Sequence, residues 1–110
     1  MSERPQELIE LFRDRLKKHP EATKNVNTIF QFILDGEDGG KWWVDLTKSP
    51  GEIGEGSHDA AKCTISMSAA DFVAMVRKVA NPMVLFMSRR LKVFGDLSMA
   101  FKLQSVVNLL

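Results

Sequence analysis

Phe30-Gln31-Phe32-Ile33-Leu34, followed by Asp35-Gly36-Glu37-Asp38-Gly39-Gly40 and then Lys41-Trp42-Trp43-Val44-Asp45-Leu46-Thr47, is the stretch that decides the fold. Phe30, Phe32 and Leu34 alternate with Gln31 and Ile33, the period of two that belongs to a strand with one buried face. A run rich in Asp and Gly then supplies turn residues. Beyond it Trp42, Val44 and Leu46 recur on one face of a second alternating segment. The pattern predicts a β-hairpin.

Working outward, Ser49-Pro50-Gly51 reads as a second turn and Glu52–Gly56 as a short strand weakened by its glycines. Cys63-Thr64-Ile65-Ser66-Met67 alternates again, with Cys63, Ile65 and Met67 together on one side. Before the hairpin, Leu8, Leu11, Phe12 and Leu16 recur at helical spacing, with Ile9 widening the stripe. Ser2 is the expected cap of that helix and His19-Pro20 its end. The expectation is one helix followed by four strands in an antiparallel meander.

From Ser68 the period changes. Ser68-Ala69-Ala70-Asp71 has the form of a capping box ahead of Phe72, Met75, Val76 and Val79. Asn81-Pro82 stops that helix and starts a third, Pro82–Arg89, that is apolar through Met83, Val84, Leu85, Phe86 and Met87. Leu91–Phe94 reads as a fifth strand, and Asp96 caps a last helix running to Leu110 with only a narrow polar stripe. A helix apolar on most sides is buried deeply, meets another chain, or lines a cavity for an apolar ligand.

With 110 residues, 45% hydrophobic and 26% charged, the composition is that of one globular domain spanning residues 1–110. Net charge is +1, which supplies no global basic field for nucleic acid. Residues 1–60 nevertheless carry 8 basic against 12 acidic residues and residues 61–110 carry 7 against 2. Arg77-Lys78 and Arg89, Arg90, Lys92 flank the apolar Pro82–Met87; they read either as solvated helix ends or as a docking patch for an anionic membrane or acidic partner. One cysteine, no secretory leader pattern and no bilayer-length apolar run lead to the expectation of a soluble cytoplasmic protein.

Catalytic groups are few. His19 and His58 stand alone in polar contexts, Cys63 alternates inward, and Asp71 and Asp96 suit helix starts. No phosphate-binding glycine loop, zinc motif or nucleophile elbow occurs, so neither enzyme activity nor a cofactor or metal is expected.

Taken together, the Gly-Gly before Trp42-Trp43-Val44-Asp45-Leu46, the Cys63–Ser68 strand running into Asp71-Phe72, and Leu91-Lys92-Val93-Phe94-Gly95-Asp96 before Ala100-Phe101-Lys102-Leu103 resemble the sterol carrier protein domain, the non-specific lipid-transfer family. The resemblance covers roughly residues 5–110. It implies an α/β (α+β) fold with a five-stranded, mainly antiparallel sheet covered on one face by helices, enclosing an apolar tunnel for sterol, fatty acid, fatty acyl-CoA or phospholipid, without catalytic residues or cofactor.

Carried over by position, the lipid-binding residues are Phe32, Trp42, Phe72, Met75, Val76, Met83, Phe86, Met87, Met99, Leu103 and Val107. Arg89 and Arg90 stand where the family commonly has a glycine and are assigned to a headgroup or membrane contact. Trp43, opposite Trp42, is left between packing on the first helix and a dimer or membrane contact. Asn81-Pro82 is the expected hinge of a gate. The expected partners are a lipid or sterol ligand and a transient membrane surface, with no nucleic acid. The alternative is an interaction or accessory module that uses the same apolar surface to form a homodimer or to present an apolar intermediate to an enzyme. Asn108-Leu109-Leu110 is not the Ser-Lys-Leu address, so peroxisomal import by that route is not expected.

Overall fold

A computed structural model describes residues 4–19, 26–48, 51–100 and 102. The elements are α1 (Pro5–Lys18), β1 (Ile29–Asp35), β2 (Gly40–Asp45), β3 (Glu52–Glu55), β4 (Cys63–Ser68), α2 (Ala69–Val76), α3 (Pro82–Met87), β5 (Lys92–Gly95) and α4 (Leu97–Ala100). The five strands form one sheet in the order β3-β2-β1-β4-β5.

The hairpin is present, β1 and β2 pairing antiparallel with Phe32 opposite Trp42 and Phe30 opposite Val44. The meander expected for the next strands is not. β4 crosses to the far side of β1 and runs parallel to it, with Phe32 beside Ile65 and Leu34 beside Met67. The other three pairings are antiparallel, so the sheet is mixed but mainly antiparallel.

The crossover is held by polar contacts between residues far apart in sequence. Gln31 points to the face opposite the helices, where its Nε2 donates to the carbonyls of Gly56 at 2.9 Å and Trp42 at 3.1 Å. Its Oε1 accepts from the His58 amide at 2.8 Å. Lys62 then donates to the Ile29 carbonyl at 3.0 Å, which lays the start of β4 against β1. A buried amide with every hydrogen-bonding atom engaged thus pins the connection across the sheet.

On the other face, Phe30, Phe32 and Leu34, Trp42 and Val44, and Cys63, Ile65 and Met67 join Leu8, Ile9, Phe12 and Leu16 of α1 and Phe72, Met75 and Val76 of α2 in one buried cluster. The pairing register sets residues of neighbouring strands on a common face, so one side of the sheet is uniformly apolar. Trp43 lies on the opposite side. Its indole covers Gly54, where a Cβ would come within 2.2 Å of the ring, and meets the His58 ring at 4.9 Å. Gly54 and His58, not α1, are therefore the contacts found for this second tryptophan.

Helix boundaries follow from caps, with two departures from expectation. α1 begins at Pro5 with Arg4 at the N-cap position and no side-chain cap, whereas Ser2, the expected cap, lies outside the described residues; Pro5 at the first position removes one of the four amides a helix start leaves unpaired. α3 stops at Met87 rather than Arg89, because Arg89 adopts φ 66° and leaves the helix. Ser68 caps α2, its Oγ accepting from the Asp71 amide at 3.0 Å, and Asn81 caps α3 through the Met83 amide at 2.8 Å.

Candidate functional site

The apolar interior between the sheet and α1 and α2 is the candidate site. The β1 and β2 alternation aims Phe32 and Trp42 into it; the helical spacing of α2 aims Phe72, Met75 and Val76 down onto the same layer, and all five are buried. Phe72 meets Phe32 edge to face with ring centroids 6.0 Å apart, and Phe30 lies 6.3 Å from Phe32. Gly40 lies under the Trp42 ring, where a Cβ would be 2.8 Å from it. Phe30, Ile65 and Met67 belong to the same layer and were not among the expected binding residues, although their alternation marks them as inward.

The chemistry this interior offers is apolar. Cys63 is wholly buried, and desolvation, with the Asp96 carboxylate adding to it, pushes its thiol up to about 11. A thiol held that high is protonated at neutral pH and is a poor nucleophile. Among the described residues there is no group of three or more His, Cys, Asp or Glu side chains arranged to hold a metal ion.

The remaining expected residues are placed differently. Leu85 and Pro82 turn α3 toward the core, while Met83 is 42%, Phe86 37% and Met87 78% exposed. These three side chains are on the surface of the structure and do not converge with Phe32, Phe72 and Met75. The reason is that α3 is apolar all round: no polar stripe marks its outer face, and the backbone at both ends sets which side faces inward. Pro82, Leu85 and, just past the helix, Leu91 are the buried residues of this region. Met99 lies in α4; its side chain, and Leu103 and Val107, fall outside the described residues.

Arg89 and Arg90 also separate. Arg90 forks onto Asp71, Nε donating to Oδ2 at 3.1 Å and Nη2 to Oδ1. This pair joins the first turn of α2 to the segment that follows α3, so the Asp71 carboxylate turns to Arg90 and the capping box is completed only from the Ser68 side. Arg89 is exposed. Among the described residues no helix is long and apolar enough to cross a membrane.

The sequence model of the SCP-2 sterol transfer family matches residues 7–108. Hydroxysteroid dehydrogenase-like protein 2 of Bos taurus is 38% identical over 104 residues, covering 94% of this chain and 24% of that protein; the chain spans about a quarter of the length of this relative. Among solved structures, the apo form of sterol carrier protein 2 from Yarrowia lipolytica superposes with a TM-score of 0.78 at 28% identity, covering 93% of this chain and 88% of that one. Sterol carrier protein 2 from Aedes aegypti in complex with the C16 fatty acid palmitate shares the fold, with a TM-score of 0.76 at 23% identity over 100% of this chain and 99% of that one. A match across nearly the whole chain, on the strand order and helix-covered face described above, settles the assignment: the chain belongs to the SCP-2 sterol transfer family.

Proposed function

We propose that this domain is a non-catalytic intracellular carrier of apolar lipids, taking a fatty acyl chain, sterol, acyl-CoA or phospholipid into a tunnel opened between the sheet and α2 and exchanging it at a membrane surface. The observation that carries the reading is the uninterrupted apolar layer of Phe30, Phe32, Ile65, Phe72 and Met75 in a member of this family. Each CH₂ withdrawn from water contributes about 0.8 kcal/mol, so a sixteen-carbon chain gains on the order of 12 kcal/mol against association costs of about 4 kcal/mol or more. Micromolar binding therefore needs no specific polar contact, and a broad ligand range follows. Asn81-Pro82, between α2 and α3, is the hinge through which the layer opens. Met75, with its flexible thioether, adapts the lining to different chains.

Native mass spectrometry of the purified protein, followed by organic extraction, tests this reading. A released acyl chain, sterol or phospholipid near one per protein is the expected result; an empty protein that also takes up no fluorescent fatty acid overturns it.

A second reading has an observation in its favour. The relative from Bos taurus carries the matched stretch as 24% of its length and is called a dehydrogenase-like protein. In that setting the same domain presents a bound apolar intermediate to an enzyme, and pull-down of such an enzyme with a narrow ligand range distinguishes it from free transfer.

A further inference from the structure

α3 is an inverted helix. At about 100° per residue, the buried Pro82 and Leu85 share one side and the opposite side is held by Val84 and Met87. Exposure rises around the helix from Phe86 at 37% and Met83 at 42% to Val84 at 63% and Met87 at 78%. Val79, in the connection leading to α3, is 82% exposed. Five large apolar side chains thus face outward within nine residues of sequence, on a hairpin braced at its base by the Asp71–Arg90 fork.

Both ends of this surface carry a cation in a conformation that ordinarily calls for glycine. After α2, Lys78 has φ 63°; its amide donates to the Met75 carbonyl and the Val79 amide to that of Ala74. After α3, Arg89 has φ 66°; its amide donates to Phe86 and the Arg90 amide to Leu85. Each is a complete Schellman cap with a long basic residue at the left-handed position. Two such departures bracketing one exposed apolar helix point to function. No Asp or Glu occurs between Phe72 and Gly95, so the only negative side chain of the hairpin's described residues is Asp71 at its base, engaged by Arg90.

We infer that α3 is an interfacial anchor for an anionic bilayer: Val84 and Met87 enter the headgroup–acyl boundary while Lys78 and Arg89 meet lipid phosphates and carboxylates at its two ends. The inference deepens the carrier reading and rests on it for its purpose, since it specifies the surface at which exchange occurs. Charge complementarity selects the occupant. A basic-rimmed apolar helix lying in the membrane plane combines apolar burial with attraction to anionic lipid.

The test is flotation of the full chain with phosphatidylcholine vesicles, with and without phosphatidylserine. Binding is expected only with phosphatidylserine. The double variant Lys78→Gly, Arg89→Gly removes two charges while placing the residue best suited to each left-handed site, so it keeps the fold and loses binding, about fivefold per charge and roughly 30-fold in all. Val84→Ser with Met87→Ser, both exposed, weakens binding about tenfold or more without lowering the urea midpoint. Equal binding to both vesicle types, or unchanged binding by the variants, overturns the inference. So does sedimentation showing that the serine pair abolishes a self-association of the wild type, which assigns the face to a second copy. Fatty acid uptake without vesicles separates the two readings: uptake with no flotation refutes the anchor alone, and flotation with no uptake refutes the carrier alone.

Discussion

Arg90 closes a two-point fork on Asp71 across 19 residues of sequence, tying the first turn of α2 to the segment that leaves α3. The carboxylate is nearly buried while the guanidinium side chain is 62% exposed, so solvent screens the pair and most of its worth lies in geometry. Arg90→Ala is expected to lower stability by about 1 kcal/mol, less at high salt, and to speed amide exchange in α3 more than in β1. Urea titration and hydrogen exchange check this. Uniform exchange across the two elements would remove the fork's role as a brace for the α2–α3 hairpin.

Phe32 and Phe72 bring β1 and α2 together edge to face at 6.0 Å. Phe32→Leu and Phe72→Leu keep the apolar character of the layer and are each expected to cost about 1 kcal/mol, with a coupling of roughly 0.5–1.5 kcal/mol in a double-mutant cycle. If the proposed carrier function holds, the pair lies in the layer that the ligand parts, and both variants are then expected to change the thermal shift produced by palmitate. Additive stabilities together with an unaltered ligand shift would place the lipid elsewhere.

How much could be read in advance depended on whether the signal was local. Alternation in Phe30, Phe32 and Leu34 and in Cys63, Ile65 and Met67 identified the inward face, because a strand's period needs no knowledge of its partner. The parallel pairing of β1 with β4 was not legible: it is made by Gln31 reaching Gly56 and His58, contacts 25 and 27 residues apart. Met83, Phe86 and Met87 were expected inside for the opposite reason. A helix without a polar stripe offers no cue to its orientation, whereas the amphipathic α2 turns Phe72, Met75 and Val76 into the core.

Gln31 is the residue whose loss the crossover should feel most. Gln31→Leu leaves the Gly56 carbonyl and the His58 amide without their partner, and a cost of about 1–3 kcal/mol is expected. Gln31→Glu is the sharper probe. Its carboxylate still accepts from His58 but faces the Gly56 and Trp42 carbonyls, so only the protonated acid can donate to them; burial and these carbonyls raise its folded pKa above the unfolded value. The variant is therefore expected to be closest to wild type at low pH and to lose stability as pH rises through that folded value. A parallel pH profile for variant and wild type in urea titrations would mean the amide donor does not hold the loop.

Cys63 gives a pH dependence at the other end of the scale. Its thiol is pushed from 9.0 to about 11, first by desolvation and then by Asp96, so the folded state favours the protonated form. The contribution is fully present below pH 9 and is lost as pH rises through about 11. Lysines titrate in the same range, which makes Cys63→Ala the necessary comparison: it leaves a small cavity at all pH values but should flatten the decline between pH 9 and 11. Reaction with a thiol reagent at pH 8 should follow the same logic, being slow in the native protein and rapid once urea exposes the strand. Fast native labelling would show that β4 opens without global unfolding and that the interior between β4 and α2 is reached by solvent in the native state.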